Sequence, residues 1–376
     1  MKPFDVYHLA DIELKSALGS YVFDSNGRKY LDFYGGHAVI SIGHSHPLYV
    51  SMLTEQLSKI AFYSNSLKIS RQTEVAERLG RLSGLNDYNV FFCNSGAEAN
   101  ENAIKLASFK TGRKKVIAFQ GAFHGRTSMA IEMTDNTRIQ APINQNGNVV
   151  RIPLNDQEAF DAVMNEDIAA VIVEGIQGVA GIVEPEHHFL NHIEKKCKSM
   201  GAALILDEVQ SGMGRTGSFF AFQAAGIQPD LISMAKGIGN GFPVAALLIS
   251  PKYEAVKEQL GTTFGGAHLA CTAVDAVLQV FEREQLQNNV NEMGNYMKAQ
   301  LGNLKGLKKY KGRGFMVGLE FEFPVTVMRK QLMNEYSVLT GTSSDPNTIR
   351  LLPALNIGRT EIDQLKLAFE RVLNHD

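Results

Sequence analysis

Three short stretches combine reactive side chains with backbone able to hold an anion. In ISMAKGIGNGFP, residues 232–243, Lys236 stands between an apolar run and the breakers Gly237, Gly239, Gly241 and Pro243. A lysine at a strand end ordinarily reaches into water. Held in a crowded, partly dry pocket it deprotonates more easily, because burial disfavours the ammonium form, and the free amine can attack a carbonyl. Asn94-Ser95-Gly96-Ala97-Glu98 follows a second apolar run and opens a helical pattern. Free N–H groups and the helix dipole favour phosphate there, and Gly96 permits close approach; alternatively, Ser95 and Glu98 form a capping box and bind nothing. AALILDEVQ ends on Asp207-Glu208. A carboxylate at the end of a buried strand can hold a proton on a pyridine nitrogen, making the ring an electron sink; a metal ligand and a plain strand-end acid are the competing readings.

Such residues need a rigid frame, and the chain has the pattern of one. NVFFC (89–93), KVIAF (115–119), AAVIVE (169–174), AALILD (202–207), DLISM (230–234) and VAALLI (244–249) are apolar like strands buried on both faces. AEANENAIKLASFK (97–110) and HHFLNHIEKKCKSMG (187–201) read as helices between some of them. The alternation predicts an α/β domain with a mostly parallel sheet, whose ligands sit beyond the carboxyl ends of the strands. SYVFDSNGRKYLDF (20–33) reads as two strands around a turn at Ser25-Asn26-Gly27. A long helical pattern after residue 270 leads to KGRGFMVGLEFEF (311–323), where Phe315, Val317, Leu319 and Phe321 alternate as in a strand. A last helix follows, for which Thr360 and Asp363 offer a capping box. The expected division is residues 1–50 as the N-terminal part of a small α+β domain, 51–260 as the large domain, and 261–376 as the C-terminal part of the small one.

Composition narrows the partners. With 376 residues and 44% hydrophobic content the chain can bury a substantial core, and a formal net charge of −2 offers no basic excess for nucleic acid or a membrane surface. Cys93, Cys197 and Cys271 are widely spaced, which fits a reducing compartment better than a disulfide framework or zinc knuckle. The stretch MKPFDVYHLADIELKSALGS lacks the apolar core of a secretory signal, and no apolar run approaches a membrane span, so a cytoplasmic protein acting on small molecules is expected. Lys236 lacks the flanking residues of a Walker loop, and Gly237, Gly239 and Gly241 lack dinucleotide-fingerprint spacing. His188 and His192 stand four apart, but Phe189 occupies the place of the base in H-E-x-x-H; His44 and His46 suit a turn better than a metal. What survives is a phosphate-competent helix start, a strand-end acid and a glycine-flanked lysine, the three contacts that pyridoxal phosphate requires.

Longer motifs then become legible: YLDFYGGHAVISIGHSHP, FFCNSGAEANENAIKLA, AFHGRT, VIVEGIQG, LILDEVQSGMGRTG, AKGIGNGFP, TTFGG and IRLLPALNI. Through them the chain resembles, over nearly its whole length, the class III aminotransferases of the fold-type-I pyridoxal phosphate enzymes, and most closely the acetylornithine group. That resemblance implies a large domain with a mostly parallel central sheet and a smaller α+β domain built from both chain ends. It also implies transfer of the δ-amino group of an N-acylornithine to 2-oxoglutarate, in arginine biosynthesis, by a homodimer with active sites at the subunit interface. Lys236 would carry the cofactor and then shuttle the proton, with Asp207 at the ring nitrogen. Ser95, Gly96 and Ala97 would hold the phosphate, Phe123 and Val209 the two ring faces, and Gln210 the ring oxygen. Glu174 would lie near the cofactor, and Thr263 would reach phosphate from the partner subunit. Arg126 would bind the α-carboxylate of the acylornithine, and Arg350 that of glutamate or 2-oxoglutarate.

The chain departs from this pattern at Val179, where the family usually has a glutamate thought to cover the glutamate-binding arginine. It departs also at Gly175, usually Pro, at Ala267-His268, commonly Asn-Pro, and at His37, usually aliphatic. These changes are expected on the substrate side, with altered recognition of the acyl group and N-succinylornithine a rival to N-acetylornithine. Other readings are an ornithine- or 4-aminobutyrate-type enzyme, an aminomutase needing no external keto acid, and a non-enzymatic phosphate-ligand sensor.

Overall fold

The computed structural model describes residues 1–374. Its fourteen strands, in chain order, are β1 (Leu14–Leu18), β2 (Tyr21–Asp24), β3 (Lys29–Asp32), β4 (Asn89–Cys93), β5 (Lys115–Phe119), β6 (Val149–Ile152), β7 (Ile168–Glu174), β8 (Ala203–Asp207), β9 (Leu231–Met234), β10 (Ala245–Ile249), β11 (Leu307–Arg313), β12 (Met316–Phe321), β13 (Val338–Leu339) and β14 (Thr348–Leu351).

The apolar runs become one seven-stranded sheet in the order β4-β10-β9-β8-β7-β5-β6. Strands β9, β8, β7, β5 and β6 run parallel, while β10 is antiparallel to both its neighbours. The runs carry no polar side because both faces are covered. Ile117, Phe119, Val171, Val173, Leu204 and Leu206 point into one core with Phe189 and Ile193 of the helix His187–Met200. Their neighbours Val116, Ala118, Ala170, Ile172, Ala203 and Ile205 point into the opposite core with Ala103 and Ala107 of the helix Gly96–Thr111. The period-two alternation thus survives as a division between two cores rather than between core and water.

Both ends of the chain form the smaller sheets. β1, β2, β3 and β13 make one, in which C-terminal β13 lies parallel to N-terminal β3. The turn between β2 and β3 is closed by Asp24, whose Oδ1 accepts from the N–H groups of Asn26 and Arg28 at 2.9 Å each. β11, β12 and β14 make an antiparallel third sheet. The 311–323 stretch is therefore a hairpin rather than one strand. It turns at Gly314, whose φ is +55° and where a Cβ would stand 2.6 Å from the Arg215 carbonyl oxygen. Val317, Leu319 and Phe321 lie on β12 as their alternation leads one to expect, with Met316 and Phe315 buried as well. The last helix begins at Arg359, placing Thr360 inside it. Glu361 accepts from the Gly358 N–H at 3.0 Å, and Asp363 instead accepts from Tyr296 Oη at 2.7 Å.

Arg215 ties these pieces together. Fully buried, it donates from Nη1 to the carbonyls of Phe315 (3.3 Å) and Pro353 (2.7 Å), and from Nη2 to those of Ala38 (3.4 Å) and Ile40 (3.5 Å). Burial lowers its pKa to about 10.

Candidate active site

Residues from six strand ends and loops converge on a cavity of about 380 Å³ at the carboxyl edge of the large sheet. Because β7 and β8 are in register, Glu174 and Asp207 stand side by side, and β9 ends two residues before Lys236. Antiparallel β10 starts where β4 ends, with Ala245 opposite Cys93, so Phe242 and Pro243 reach the same edge as Ser95.

Lys236 occupies the left-handed region at φ +47°, a conformation that costs a non-glycine residue of order 1 kcal/mol or more and marks a position held by its surroundings. Ser41 Oγ grips the next residue, donating to the Gly237 carbonyl at 2.6 Å. Gly239 is required: a Cβ there would lie 2.3 Å from the Phe242 carbonyl oxygen. Burial lowers the pKa of the Lys236 amine, opposed by the charges of Asp207 and Glu174 and assisted by those of Arg350 and Arg215.

Asp207 is fixed by three donors. Its Oδ2 accepts from His124 Nδ1 and from Asn100 Nδ2, both at 2.8 Å, and its Oδ1 from the Val209 N–H at 3.0 Å. The other polar ends of those two partners, His124 Nε2 and Asn100 Oδ1, are buried without a hydrogen bond among the described residues. Glu174 accepts from the N–H groups of Phe123 (2.9 Å) and Gly178 (3.1 Å), pinning the loops on either side. Burial pushes its pKa up to about 7, the charge of His124 opposing and that of Asp207 adding to the rise.

Ser95 caps the helix Gly96–Thr111, its Oγ accepting from the Glu98 N–H at 3.2 Å. Glu98 does not return a bond to the Ser95 backbone N–H as a capping box would; its Oε2 accepts from the Asn94 N–H at 3.0 Å and its Oε1 from Ser95 Oγ at 3.4 Å. Gly96 and Ala97, in the first turn, line the cavity, and N–H groups of a first turn have no partner within their helix. A Cβ on Gly96 would lie 2.8 Å from both Val209 methyls, so only glycine lets the helix start approach that side chain.

Phe123, Val209, Val179 and Gln210 also line the cavity. Gln210 connects it to Arg350, whose Nη1 donates to Gln210 Oε1 at 3.3 Å. Arg350 is buried at the β14–β12 pairing, and burial lowers its pKa. His37 adjoins this group without lining the cavity: its carbonyl accepts from Gln210 Nε2 at 3.2 Å, and its ring bonds to Tyr34. Arg126 and Thr263 are exposed and outside the cavity lining of this chain.

The four departures do not form one cluster. Val179 lines the cavity and His37 adjoins Arg350 through Tyr34, but Gly175 backs onto a different pair: a Cβ there would lie 2.6 Å from Glu208 Oε1 and 2.7 Å from Ser211 Oγ. His268 begins the helix His268–Arg283, outside the lining. His44 and His46 serve the chain turn, His44 pairing with Asp32 at 2.9 Å and His46 capping the helix Pro47–Lys59. His188 and His192 pair with Glu186 (3.2 Å) and Asp161 (2.8 Å). Sequence reasoning passed over Asn100, one helical turn beyond Gly96 and so on the same helix face, and His124, beside Phe123 in AFHGRT. It also passed over Tyr34, for which spacing carried no signal.

A family model described as aminotransferase class-III matches residues 5–373. Similar relatives include proteins named acetylornithine aminotransferase in Bacillus subtilis, 39% identical over 99% of this chain and 97% of that one, and in Archaeoglobus fulgidus, 39% identical over 98% and 96%. Among solved structures, acetylornithine aminotransferase from Elizabethkingia anophelis superposes with a TM-score of 0.85 at 29% identity, covering 100% of this chain and 96% of that one. The ornithine aminotransferase of Toxoplasma gondii reaches a TM-score of 0.90 at 24% identity, with coverage of 98% and 91%, a likeness of fold.

Proposed function

The chain belongs to the class III aminotransferases, and from that premise we propose that it moves the δ-amino group of an N-acylornithine to 2-oxoglutarate. The products are an N-acylglutamate 5-semialdehyde and glutamate, in arginine biosynthesis. The observation that carries the reading is the convergence of Lys236, Asp207 and the Ser95–Ala97 helix start on one cavity. The name shared by the similar relatives favours the acetyl substrate.

The residues present fit pyridoxal phosphate: a helix start with no room for a Cβ at Gly96, a buried acid braced from behind at Asp207, and a lysine whose pKa burial lowers. When bound, that cofactor supplies an electron sink for the substrate's terminal carbon. Lys236 would hold it through the ε-amine and, once released by the substrate amine, take the proton from that carbon. Asp207 would keep a proton on the ring nitrogen, with His124 and Asn100 fixing its orientation. Ser95 Oγ and the N–H groups of Gly96 and Ala97 would receive the phosphate, while Phe123 and Val209, in the cavity lining, would border the ring and exclude water. Glu174 would orient Phe123 through its backbone bond. Gln210, spent on Arg350 and the His37 carbonyl, would exchange one of these bonds to reach the ring oxygen.

Each substrate carries a carboxylate that a planar guanidinium can hold bidentately, Arg126 for the acylornithine and Arg350 for glutamate or 2-oxoglutarate. Thr263, exposed and outside its own chain's cavity lining, would reach the partner's phosphate across a homodimer interface. A cytoplasmic location accords with three buried free cysteines. A second acyl group, succinyl, is favoured by Val179 alone: an uncharged side chain in the lining leaves the nearby cations unquenched.

The test is single-turnover reaction of the cofactor-loaded protein with N-acetylornithine, N-succinylornithine, ornithine and 4-aminobutyrate, followed by glutamate formation on adding 2-oxoglutarate. Reaction with an acylornithine far exceeding the others is expected. A preference for free ornithine or 4-aminobutyrate overturns the substrate reading, and turnover without any keto acid overturns transamination in favour of a mutase.

A further inference from the structure

The hydrogen bonds of Arg350 among the described residues go to three uncharged acceptors: the Thr342 carbonyl, Gln210 Oε1 at 3.3 Å and Tyr34 Oη at 3.4 Å. A guanidinium only donates, so Tyr34 Oη accepts from it. The hydroxyl proton must then go elsewhere, and the other partner of Tyr34 Oη is His37 Nδ1. The hydroxyl can donate there only if Nδ1 carries a lone pair, which is the case for neutral histidine protonated on Nε2. Burial, Arg350 and Lys236 all lower the His37 pKa and favour that neutral form. The chain of donors therefore runs one way, from Arg350 to Tyr34 to His37.

The arrangement is built rather than incidental. Gly341, paired with Arg350 across a β-bridge, is the residue that admits the tyrosine ring: a Cβ there would lie 2.3 Å from Tyr34 Cε2. The segment bearing His37 holds left-handed backbone at Gly35, Gly36, His37 and Ala38, with φ of 55°, 55°, 70° and 66°, and two of the four are not glycine. Such strain persists only where surroundings over-determine it. Here Gln210 grips the His37 carbonyl and Arg215 that of Ala38.

We propose that Tyr34, oriented by His37, is the positioning residue that presents Arg350 to the carboxylate of a dicarboxylate substrate, in the place of an acidic side chain. The proposal rests on the role of Arg350 in holding 2-oxoglutarate. A carboxylate cover would neutralise the guanidinium and have to be displaced by each incoming substrate. A phenol hydroxyl fixes the same fork while leaving its charge available, so the dicarboxylate displaces only Gln210.

The test titrates the holoenzyme with glutarate, a dicarboxylate with no amine or ketone to react, by calorimetry, beside steady-state kinetics with 2-oxoglutarate. Tyr34→Phe is expected to raise the glutarate Kd and the 2-oxoglutarate KM about tenfold, the effect of losing one hydrogen bond to a charged group, with a much smaller change in kcat. His37→Ala should do the same. His37→Asn should restore both constants, since its amide oxygen takes the place of Nδ1 and asparagine tolerates left-handed backbone. A Tyr34→Phe Kd within about twofold of the parent, or His37→Asn no better than His37→Ala, overturns the proposal. Arg350→Ala separates the two levels: if it too leaves the Kd unchanged, the role of Arg350 fails; if it abolishes binding while Tyr34→Phe does not, only the role of Tyr34 fails.

Discussion

Glu208, next to the proposed ring-nitrogen partner, gives a quantitative handle on the buried electrostatics. Its Oε2 meets Ser211 Oγ at 2.7 Å and its Oε1 accepts from the Phe222 N–H at 3.0 Å. Burial pushes its pKa up to about 7, and the neighbouring Asp207 adds to the rise against the Ser211, Ala221 and Phe222 contacts. Between the ordinary carboxyl pKa of 4.5 and the folded value near 7, the folded state binds more protons than the unfolded one. Stability is therefore highest below the unfolded value and falls as pH rises through the folded one. Glu208→Gln is the non-titrating copy of the protonated acid: its Oε1 can accept from Phe222 and its Nε2 can donate to Ser211. Parent and variant should be equally stable near pH 4.5, and the variant should gain about 3 kcal/mol by pH 8, from about 1.4 kcal/mol per unit of pKa. Spread over an unfolding entropy of about 2.1 cal/mol/K per residue, that is a Tm gain of about 4 °C for 376 residues. Melting both proteins side by side from about pH 5 to about pH 8 measures it. A Tm difference independent of pH, or a variant that is less stable at pH 8, refutes the burial argument.

Three further outcomes follow from the site. Lys236→Ala should bind the cofactor without becoming linked to it on borohydride reduction and should lose on the order of 10⁴-fold or more in turnover, read by mass spectrometry and kinetics. Gly96→Ala should press its methyl against Val209, costing about 1–3 kcal/mol of stability and loosening cofactor retention, with Val209→Ala recovering much of the loss on a thermal-shift and dialysis assay. Val179→Glu should shift the ratio of N-acetylornithine to N-succinylornithine turnover by adding a negative charge to the cavity lining; an unchanged ratio removes Val179 from acyl recognition.

The frame and the centre of the site were legible because their signals are local. The strands of the large sheet are short apolar runs, and Ser95, Asp207 and Lys236 each sit where such a run ends. The 311–323 alternation found β12 but not the turn before it, because that turn depends on Arg215, nearly a hundred residues earlier. Gly175 was assigned to the substrate side because its reason, the carboxylate of Glu208, comes from the next strand over. Tyr34 was invisible for a similar cause: its partners His37 and Arg350 join it through a left-handed turn and a strand from the far end of the chain, neither of which periodicity reports. Interactions that cross the sequence this widely leave no pattern within any one window of it.

Arg215 couples the completion of three distant segments of the molecule. Its guanidinium gives up water only if carbonyls from the 38–40 turn, the 315 turn and residue 353 all arrive, and no carboxylate among its hydrogen-bond partners compensates an absent one. Losing one of these carbonyls leaves a buried cationic donor unsatisfied, at a cost of about 1–3 kcal/mol or more, which favours the three segments melting and forming together. Amide protons of the 35–40 turn should then exchange with solvent at the rate of the β12 hairpin, not at the rate of a surface loop.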